Sequence, residues 1–395
     1  MFRRALKVVA VASIFVSTFG TGVEGSVISP TAAPVFTKVA AGLFHTCAIT
    51  NTKALYCWGN NWYGQLGTGD ADPVEGKHLV QGELAGKEVV DISLGQYQTC
   101  AVTSEGIVYC WGLGGSGVLG SGSTDNFNEP HGVIGGSLDS TFVTDVDAGD
   151  WNTCAHTYSG FSCWGDNSYR QVKLTNPNDD VLSPVTMDHG VLSGAEITDF
   201  SVGEYLVCAV VLAKAACWGR DLTDRLAPHY VTRGYLRSKQ VTSVAAGIHM
   251  CALTTLGTVA CWGRNTYSQL GDGTVADRAI PKRVITGALA NALVEKIEAS
   301  EEGMCAVTTR MKLACWGKNF DGQVGNGSTD TQPTPARVNT GALRRKNVIS
   351  VGMGENHTCA ITQAGRIACW GDNAQGQLGD GTTNDSSRPK FIVWE

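Results

Sequence analysis

Apolar and polar residues alternate in short runs along most of the chain, and the runs come in pairs. The run from His45 to Thr50 is followed by a polar turn at 51–53 and then by the run from Ala54 to Gly59. Alternation places successive side chains on opposite faces of a strand, and a short polar turn between two such runs is typical of a β-hairpin. The pattern therefore predicts an antiparallel strand pair.

The same hairpin pattern recurs at a nearly fixed spacing. The tripeptide Cys-Trp-Gly occurs seven times, and another Cys precedes each occurrence by nine or ten residues. Successive units are 53 or 54 residues apart, except that the fourth step is 43. A period of this length predicts an all-β repeat protein of seven units.

The hairpin register places the two cysteines of each pair opposite each other. A three-residue turn does so for pairs ten residues apart, and a two-residue turn for pairs nine apart. Opposed residues of an antiparallel pair have Cα atoms roughly 4.5–5.5 Å apart, within reach of a disulfide. Zinc would need a second ligand pair that these units lack, and reduced cysteines would be expected only in a chain that is not exported. The predicted disulfides are Cys47–Cys57, Cys100–Cys110, Cys154–Cys163, Cys208–Cys217, Cys251–Cys261, Cys305–Cys315 and Cys359–Cys369.

A Gly-Gln-Leu-Gly loop follows Cys-Trp-Gly at 64–67, with counterparts at 268–271, 322–325 and 376–379. With the string His-Thr-Cys-Ala-Ile-Thr, it resembles the repeat of the regulator of chromosome condensation family, in its secreted, cysteine-bearing branch. The resemblance covers residues 36–395, weakens in unit 2 and fails after Cys-Trp-Gly in units 3 and 4. It implies a seven-bladed β-propeller of four-stranded blades. The nuclear nucleotide exchange of the founding member is not expected in an exported chain.

The C-terminal segment from Arg388 to Trp394 reads as a strand, and nothing comparable precedes unit 1. We expect residues 389–394 to pair with the first blade and so to close the ring, because closure protects the edges of the sheets.

The first 25 residues have the pattern of a signal peptide, with cleavage near 20–25. Arg3, Arg4 and Lys7 precede a short apolar stretch, Val8 to Phe19, and small residues follow. The alternatives are an N-terminal anchor or a misassigned start, but the stretch is too short to span a bilayer comfortably. Residues 26–35 are predicted as a linker and 36–395 as the propeller. The mature protein is expected to be secreted, periplasmic or at the cell surface, without membrane insertion.

Charge and motifs narrow the function further. The net charge is −6, which disfavours nucleic acid as a partner. His45, His249 and His357 recur at one position of the repeat, which indicates blade packing rather than catalysis. The Gly-Asp-Gly-Thr loops at 271–274 and 379–382 suggest calcium, but 325–328 reads Gly-Asn-Gly-Ser, so a turn is favoured. We expect no enzymatic activity, no metal and no cofactor.

Aromatic residues stand three positions before the first Cys in units 1–4. They are Phe44, Tyr97, Trp151 and Tyr205. In the family this loop reaches one face of the propeller, so the four rings are predicted to form a crescent that binds a protein partner. The alternative for these rings is packing between blades. The alternatives for the function are a glycan-binding or adhesive module, an enzyme inhibitor, or an enzyme that uses the same face.

Overall fold

The computed structural model describes residues 33–394 except 73–75, 159, 177–178, 221 and 223–225. The predicted signal peptide and most of the predicted linker lie outside the described residues. The described residues form seven antiparallel sheets of four strands each. Every sheet is made of four consecutive strands, so each unit of the sequence is one complete blade. The predicted seven-bladed propeller is confirmed.

The first strand of each blade lines the central channel and the fourth lies at the outer edge. The first strands are Phe36–Ala41, Val89–Leu94, Val143–Ala148, Ile197–Val202, Val241–Ala246, Val294–Ala299 and Val348–Met353. The second strands are His45–Thr50, Gln98–Thr103, Asn152–Thr157, Leu206–Val211, His249–Thr254, Gly303–Thr308 and His357–Thr362. The third strands are Leu55–Gly59, Val108–Gly112, Gly160–Gly165, Lys214–Gly219, Val259–Gly263, Leu313–Gly317 and Ile367–Gly371. The fourth strands are His78–Leu79, Phe127–Gly132, Val181–Thr186, His229–Tyr230, Arg278–Arg283, Gln332–Arg337 and Ser386–Phe391.

Short 3-10 turns complete the described secondary structure. Six of them connect one blade to the next, and the turn at Gly115–Gly117 lies within blade 2. The connecting turns are Gly82–Leu84, Gly136–Leu138, Gly190–Leu192, Gly234–Leu236, Gly287–Leu289 and Gly341–Leu343. The last residue of each connecting turn is a buried leucine, so the turns also anchor the connections to the core. No helix among the described residues is long and apolar enough to cross a bilayer.

The second and third strands form the predicted hairpins, in the predicted register. All seven disulfides join opposed cysteines, with Cα atoms 4.0–4.2 Å apart. In the shorter hairpin of blade 4, Val211 faces Lys214. The two turn residues, Leu212 and Ala213, have φ of 49° and 58°, as a type I′ turn requires. One disulfide per blade is therefore confirmed.

The predicted pairing of the C-terminal segment with the first blade is wrong. Ser386–Phe391 pairs with Ile367–Gly371 and completes blade 7. Blade 1 does not need it, because Phe36–Ala41 precedes the first hairpin and supplies the channel strand. The tail reaches blade 1 through a side chain instead, since the ring of Trp394 packs edge-on against Phe36 and Tyr56 at 5.5 and 4.9 Å.

One hydrogen bond recurs between neighbouring blades. The indole Nε1 of the Cys-Trp-Gly tryptophan donates to a backbone carbonyl in the loop of the preceding blade. The bonded pairs are Trp58 and Gln377 (2.9 Å), Trp111 and Gln65 (2.9 Å), Trp164 and Val118 (2.8 Å), Trp218 and Gln171 (2.9 Å), Trp316 and Gln269 (2.8 Å), and Trp370 and Gln323 (2.8 Å). The first of these closes the ring, because it joins blade 7 to blade 1.

Glycine at the end of this loop lets the indole approach. A Cβ added at Gly325 would lie 2.4 Å from Trp370 Nε1, and φ there is 78°. Blade 3 keeps the same contact although its sequence lacks the motif. Arg170 adopts the positive φ of 58°, and the Gln171 carbonyl accepts the bond from Trp218. Loop geometry is therefore retained where the sequence pattern fails.

Blade 4 differs from the others. Its fourth strand, His229–Tyr230, has only two residues, as in blade 1, but its unit alone has the 43-residue step. The next tryptophan, Trp262, has no hydrogen-bond partner among the described residues. It remains 4% exposed, whereas the other six Cys-Trp-Gly tryptophans are at most 1% exposed.

This difference predicts unequal costs for the same substitution. Trp316→Phe removes a buried hydrogen bond and strands the Gln269 carbonyl, whereas Trp262→Phe removes only ring area. We expect Trp316→Phe to lower the free energy of unfolding by about 1 kcal/mol more than Trp262→Phe. Guanidinium unfolding with the disulfides intact measures both. Equal losses would contradict a stabilising role for the bond.

Candidate functional site

The loops between the first and second strands surround one mouth of the central channel. In blades 1, 2, 3, 4, 6 and 7, the residue two positions after the first strand points to this mouth. These residues are Leu43, Gln96, Asp150, Glu204, Glu301 and Glu355, and all six line a cavity of about 390 Å³. Four of the six are acidic, so the mouth concentrates negative charge.

Three of these carboxyl groups meet although they come from three different blades. Carboxylate oxygens of Asp150, Glu301 and Glu355 lie within 4.8 Å of one another. Gln96 Nε2 donates to Asp150 Oδ2 at 3.0 Å and lies 3.3 Å from Glu301 Oε1. Oxygen ligands of this kind suit Ca²⁺ or Mg²⁺. The cluster can thus be held together either by a divalent cation or by shared protons.

Burial and mutual repulsion raise the pKa of all three carboxyl groups. Burial and the neighbouring Glu355 and Glu204 raise the pKa of Asp150 to about 6. Burial and the hydrogen bond with Asp150 raise the pKa of Glu301 to about 8. Burial and the hydrogen bond with Glu301 raise the pKa of Glu355 to about 9. Without a cation, the raised pKa values favour the protonated form of Glu301 and Glu355 at neutral pH.

Carboxylates farther down the channel join neighbouring blades. Asp147 Oδ2 accepts a hydrogen bond from the Val202 backbone N–H of the next blade at 2.8 Å, and Asp199 Oδ2 accepts one from Val244 at 2.8 Å. These acidic groups satisfy backbone donors, which gives them a structural role distinct from the cluster at the mouth.

The four predicted aromatic residues lie in the same loops, one position after the mouth residues, and all four are half-buried. The backbone carbonyl of each accepts a hydrogen bond from the residue after Cys-Trp-Gly in the same blade. The donors and acceptors are Asn60 and Phe44, Leu113 and Tyr97, Asp166 and Trp151, and Arg220 and Tyr205, at 2.8–3.0 Å. These bonds hold the backbone of the loops that carry the four rings. Their role in contacting a partner stays a prediction.

Sequence reasoning missed a second row of aromatic rings. These residues follow Cys-Trp-Gly by three or four positions in blades 1, 3, 5 and 6: Trp62, Tyr63, Tyr169, Tyr267 and Phe320. Tyr63 packs on Tyr97 at 5.1 Å, and Tyr169 packs on Tyr205 at 5.1 Å. Trp62 is 53% exposed. The sequence feature that could have revealed these rings is an aromatic residue one or two positions after the asparagine that recurs in several units, as in Asn61-Trp62-Tyr63 and Asn265-Thr266-Tyr267.

The acidic mouth was missed for a similar reason. Its residues stand immediately before the aromatic position, as in Gly149-Asp150 and Gly203-Glu204. Comparing the units at the position before the aromatic residue would have shown an acidic residue in four of them. Their convergence into one cluster depends on the ring, because Asp150 and Glu301 are far apart in the chain.

The recurring histidines pack between blades, as predicted. His45 Nε2 lies 2.9 Å from Thr99 Oγ1, and His357 Nε2 lies 2.7 Å from Thr46 Oγ1. Burial lowers the pKa of His45 and of His357 to about 3, so both rings are neutral at physiological pH.

The Gly-Asp-Gly-Thr loops adopt turns in which the carboxylate bonds to neighbouring residues. Asp272 accepts hydrogen bonds from the backbone and hydroxyl of Thr274 at 3.0 and 2.6 Å, and it pairs with Lys282 and Arg278. Asp380 repeats the arrangement with Thr382 and Lys390. These carboxylates already have their partners.

Comparison with known proteins agrees with this architecture. Residues 85–394 match the model of the RCC1-like domain, and residues 36–65 and 54–102 match the regulator of chromosome condensation (RCC1) repeat. The chain belongs to the regulator of chromosome condensation repeat family.

Relatives in the RCC1 repeat family include the ultraviolet-B receptor UVR8 of Arabidopsis thaliana, which is 30% identical over 366 residues. That match covers 90% of this chain and 81% of the receptor. The human E3 ubiquitin-protein ligase HERC2 is 29% identical over 88% of this chain, which corresponds to 6% of that much longer protein.

Solved structures share the fold. The crystal structure of human WBSCR16 has a TM-score of 0.74 at 19% identity, over 86% of this chain and 95% of that one. The structure of Prp20p from Saccharomyces cerevisiae has a TM-score of 0.71 at 19% identity, over 91% and 87%. At these identities the likeness shows a common fold.

The acidic cluster makes stability depend on pH in a defined direction. The pKa of Glu355 is raised in the folded state, so between about 4.5 and 9 this carboxyl group binds more protons in the folded than in the unfolded chain. Its contribution to stability therefore falls as pH rises through that window. We expect the melting temperature of the Glu355→Gln variant to fall less between pH 5 and pH 9 than that of the wild type.

Thermal scans in EDTA measure this, because a bound divalent cation would keep the carboxylates ionised. Glu129→Gln, a change at an exposed position on an outer strand, should follow the wild type. Parallel curves for all three proteins would show that the cluster is not protonated as described.

Proposed function

We propose that this protein is secreted and binds a protein partner, without catalysis, through the face around the channel mouth. This surface, called the aromatic face below, consists of Phe44, Tyr97, Trp151 and Tyr205 with the outer rings Trp62, Tyr63, Tyr169, Tyr267 and Phe320. The seven disulfides support an oxidising, extracellular location.

The observation that carries the proposal is the partial burial of these rings on adjacent blades. Core aromatic residues of this chain, such as Trp164, are fully buried. The rings of the aromatic face instead keep part of their surface in water while the main chain holds them in place. Large, preorganised aromatic surfaces are favoured at the hot spots of protein interfaces, because little conformational entropy is lost when they bind.

The acidic mouth indicates which partner fits. A lysine or arginine of the partner that reaches Asp150, Glu301 and Glu355 would supply the positive charge that the cluster lacks. It would also lower the pKa of these carboxyl groups, so binding would release protons. A partner segment with a basic residue flanked by apolar ones therefore complements both the centre and the rim of the face.

Relatives support a binding role. The Prp20p structure is described together with the binding of that protein to Gsp1p and histones, and a second yeast structure shows RCC1 bound by Kap60. UVR8 is a receptor. The partner of this chain is a separate question, because a disulfide in every blade suits an extracellular rather than a nuclear protein.

The test compares binding with stability in matched variants. Immobilised protein captures partners from the extracellular fluid of its source, and the affinity of the captured protein is then measured. We expect Trp151→Ala with Tyr205→Ala to weaken binding at least about 30-fold, which corresponds to 2 kcal/mol. Each change should cost about 1 kcal/mol of stability, against roughly 3–5 kcal/mol for the core change Trp164→Ala.

Tyr158→Ala is the matched control. Tyr158 belongs to the same blade, is 82% exposed and lies in the hairpin turn at the opposite end of the strands. If Tyr158→Ala also lost binding, or if the variant with Trp151→Ala and Tyr205→Ala lost most of its stability, the aromatic face would not be the interface.

The same experiment separates the alternatives. Binding to a glycan array that depends on Trp151 and Tyr205, without protein capture, would identify a glycan-binding module. Raised carboxyl pKa values are also typical of general acids in enzymes. Conversion of a captured molecule that Glu355→Gln abolishes would therefore show that the protein is an enzyme.

A further inference from the structure

Tyrosine rings of neighbouring blades pack as pairs at two interfaces of the aromatic face. Tyr63 of blade 1 meets Tyr97 of blade 2 with ring centroids 5.1 Å apart and an interplanar angle of 66°. Tyr169 of blade 3 meets Tyr205 of blade 4 at 5.1 Å and 62°. All four rings are half-buried. The two pairs therefore share one geometry, and both keep part of their ring surface in solvent.

The pair between blades 3 and 4 already holds a cation. The guanidinium carbon of Arg220 lies 5.0 Å from the ring centroid of Tyr169 and 5.7 Å from that of Tyr205. The negative face of an aromatic ring attracts a positive charge at this distance, and a planar guanidinium can stack on the ring. Arg220 directly follows Cys-Trp-Gly, and its backbone N–H donates to the Tyr205 carbonyl at 2.9 Å. The arginine thus reaches both rings from a defined backbone position.

The interface between blades 5 and 6 repeats this arrangement with a single ring. Lys318 directly follows Cys-Trp-Gly in blade 6, and its Nζ lies 5.9 Å from the ring centroid of Tyr267 in blade 5. Its backbone N–H donates to the Glu302 carbonyl at 3.0 Å, and its Nζ pairs with the Glu302 carboxylate at 2.8 Å. Glu302 stands at the position that Tyr205 has in blade 4. In this protein two rings thus hold an arginine, whereas one ring and a carboxylate hold a lysine.

The pair between blades 1 and 2 has no such cation. Leu113 is at the equivalent position, because it directly follows Cys-Trp-Gly and its backbone N–H donates to the Tyr97 carbonyl at 3.0 Å. Within the part of the chain that the structure describes, the cation–π contacts do not include Tyr63 or Tyr97. The pair therefore has the geometry that accommodates a guanidinium, while the chain supplies an uncharged side chain beside it.

The charges around this pair also favour a cation. Burial, the neighbouring Tyr63 and then Glu355 raise the pKa of the Tyr97 hydroxyl, so the carboxyl group of Glu355 is close enough to act on this ring. The chain as a whole carries a net charge of −6. An approaching cation favours the ionised form of Glu355, which strengthens the attraction.

We propose that Tyr63 and Tyr97, called the tyrosine pair below, bind the guanidinium of an arginine side chain of the protein partner. The guanidinium lies over both rings, as that of Arg220 does on Tyr169 and Tyr205. This inference rests on the proposed function, because it names one side chain of the partner that the aromatic face binds. It adds a contact distinct from the acidic cluster at the mouth, where either basic residue would serve.

The probe is the capped tripeptide acetyl-Gly-Arg-Gly-amide, titrated into the whole protein with isotope-labelled tyrosine rings and followed by NMR. The two ring signals are assigned from their loss in Tyr63→Phe and in Tyr97→Phe. We expect both signals to move and to saturate with a Kd on the order of 10 mM, since a single side chain makes few contacts. The citrulline tripeptide, which keeps the shape and lacks the charge, should bind at least about fivefold more weakly. The lysine tripeptide should bind at least about twofold more weakly, because an ammonium is not planar and is more strongly hydrated.

Substitutions separate the tyrosine pair from the acidic mouth. Leu113→Arg places a cation of the chain itself beside the pair, so the apparent Kd of the probe should rise at least about fivefold. Tyr63→Leu removes one ring without changing the charge, so the probe should bind at least about threefold more weakly. Tyr158→Leu is the matched control. Tyr158 is exposed at the opposite end of the strands, and its replacement should leave the Kd unchanged.

Arg220→Leu tests the internal example on which the site is based. It frees the second pair, so the arginine probe should now also move the signals of Tyr169 and Tyr205, with a similar Kd. Because Arg220 is exposed, its replacement should leave the fold intact.

Four results would overturn the proposal. They are the absence of a saturable shift of the Tyr63 and Tyr97 signals, equal binding of the arginine and citrulline probes, unchanged binding in Tyr63→Leu, and no new shifts in Arg220→Leu. None of them touches the proposed function, whose test uses the captured partner and not the probe. Conversely, a partner whose affinity does not depend on Trp151 and Tyr205 would contradict the proposed function and leave the guanidinium site of the tyrosine pair in place.

Discussion

The propeller depends on one contact between neighbouring blades, the hydrogen bond from a buried tryptophan indole to a loop carbonyl. A single blade is a small sheet with two apolar faces, and it becomes stable only when both faces are covered. The tryptophan covers one face, and its N–H would be left unsatisfied there without an acceptor from the adjacent blade. The bond therefore fixes the distance and the angle between blades as well as the burial of apolar area. The pair Trp58 and Gln377 applies the same constraint where the ends of the ring meet.

The disulfides act on a different level of the structure. Each one closes a hairpin within a single blade, and none of them joins two blades. They hold the register of the second and third strands, which in turn sets the direction of the tryptophan that follows the second Cys. The association of blades is left to side-chain packing and hydrogen bonds. The ring can thus vary at one interface, as it does between blades 4 and 5, while every hairpin remains intact.

Closure of the ring also creates the features of the candidate binding face. The loops between first and second strands are short and are held by backbone bonds to the third strand, so their side chains converge on the channel mouth. Carboxyl groups brought together in this way repel one another and lose hydration. This is why the pKa of Glu301 rises to about 8 and that of Glu355 to about 9. A cluster with such values is sensitive to pH, to cations and to a basic side chain from outside. In the proposed interaction, the aromatic residues near it supply the apolar surface.

The sequence by itself determined the hairpins, their register, the seven disulfides, the number of blades and the position of the four inner aromatic residues. These are local properties: alternation, turn length and Cys spacing each act over about fifteen residues. The tertiary structure alone decided that Phe36–Ala41 completes blade 1 while Ser386–Phe391 completes blade 7, because strand partners are set by the ring and not by strand composition. It also decided that Asp150, Glu301 and Glu355 form one cluster. Each of these features joins residues of different blades, and nothing in a single repeat specifies its distance from another.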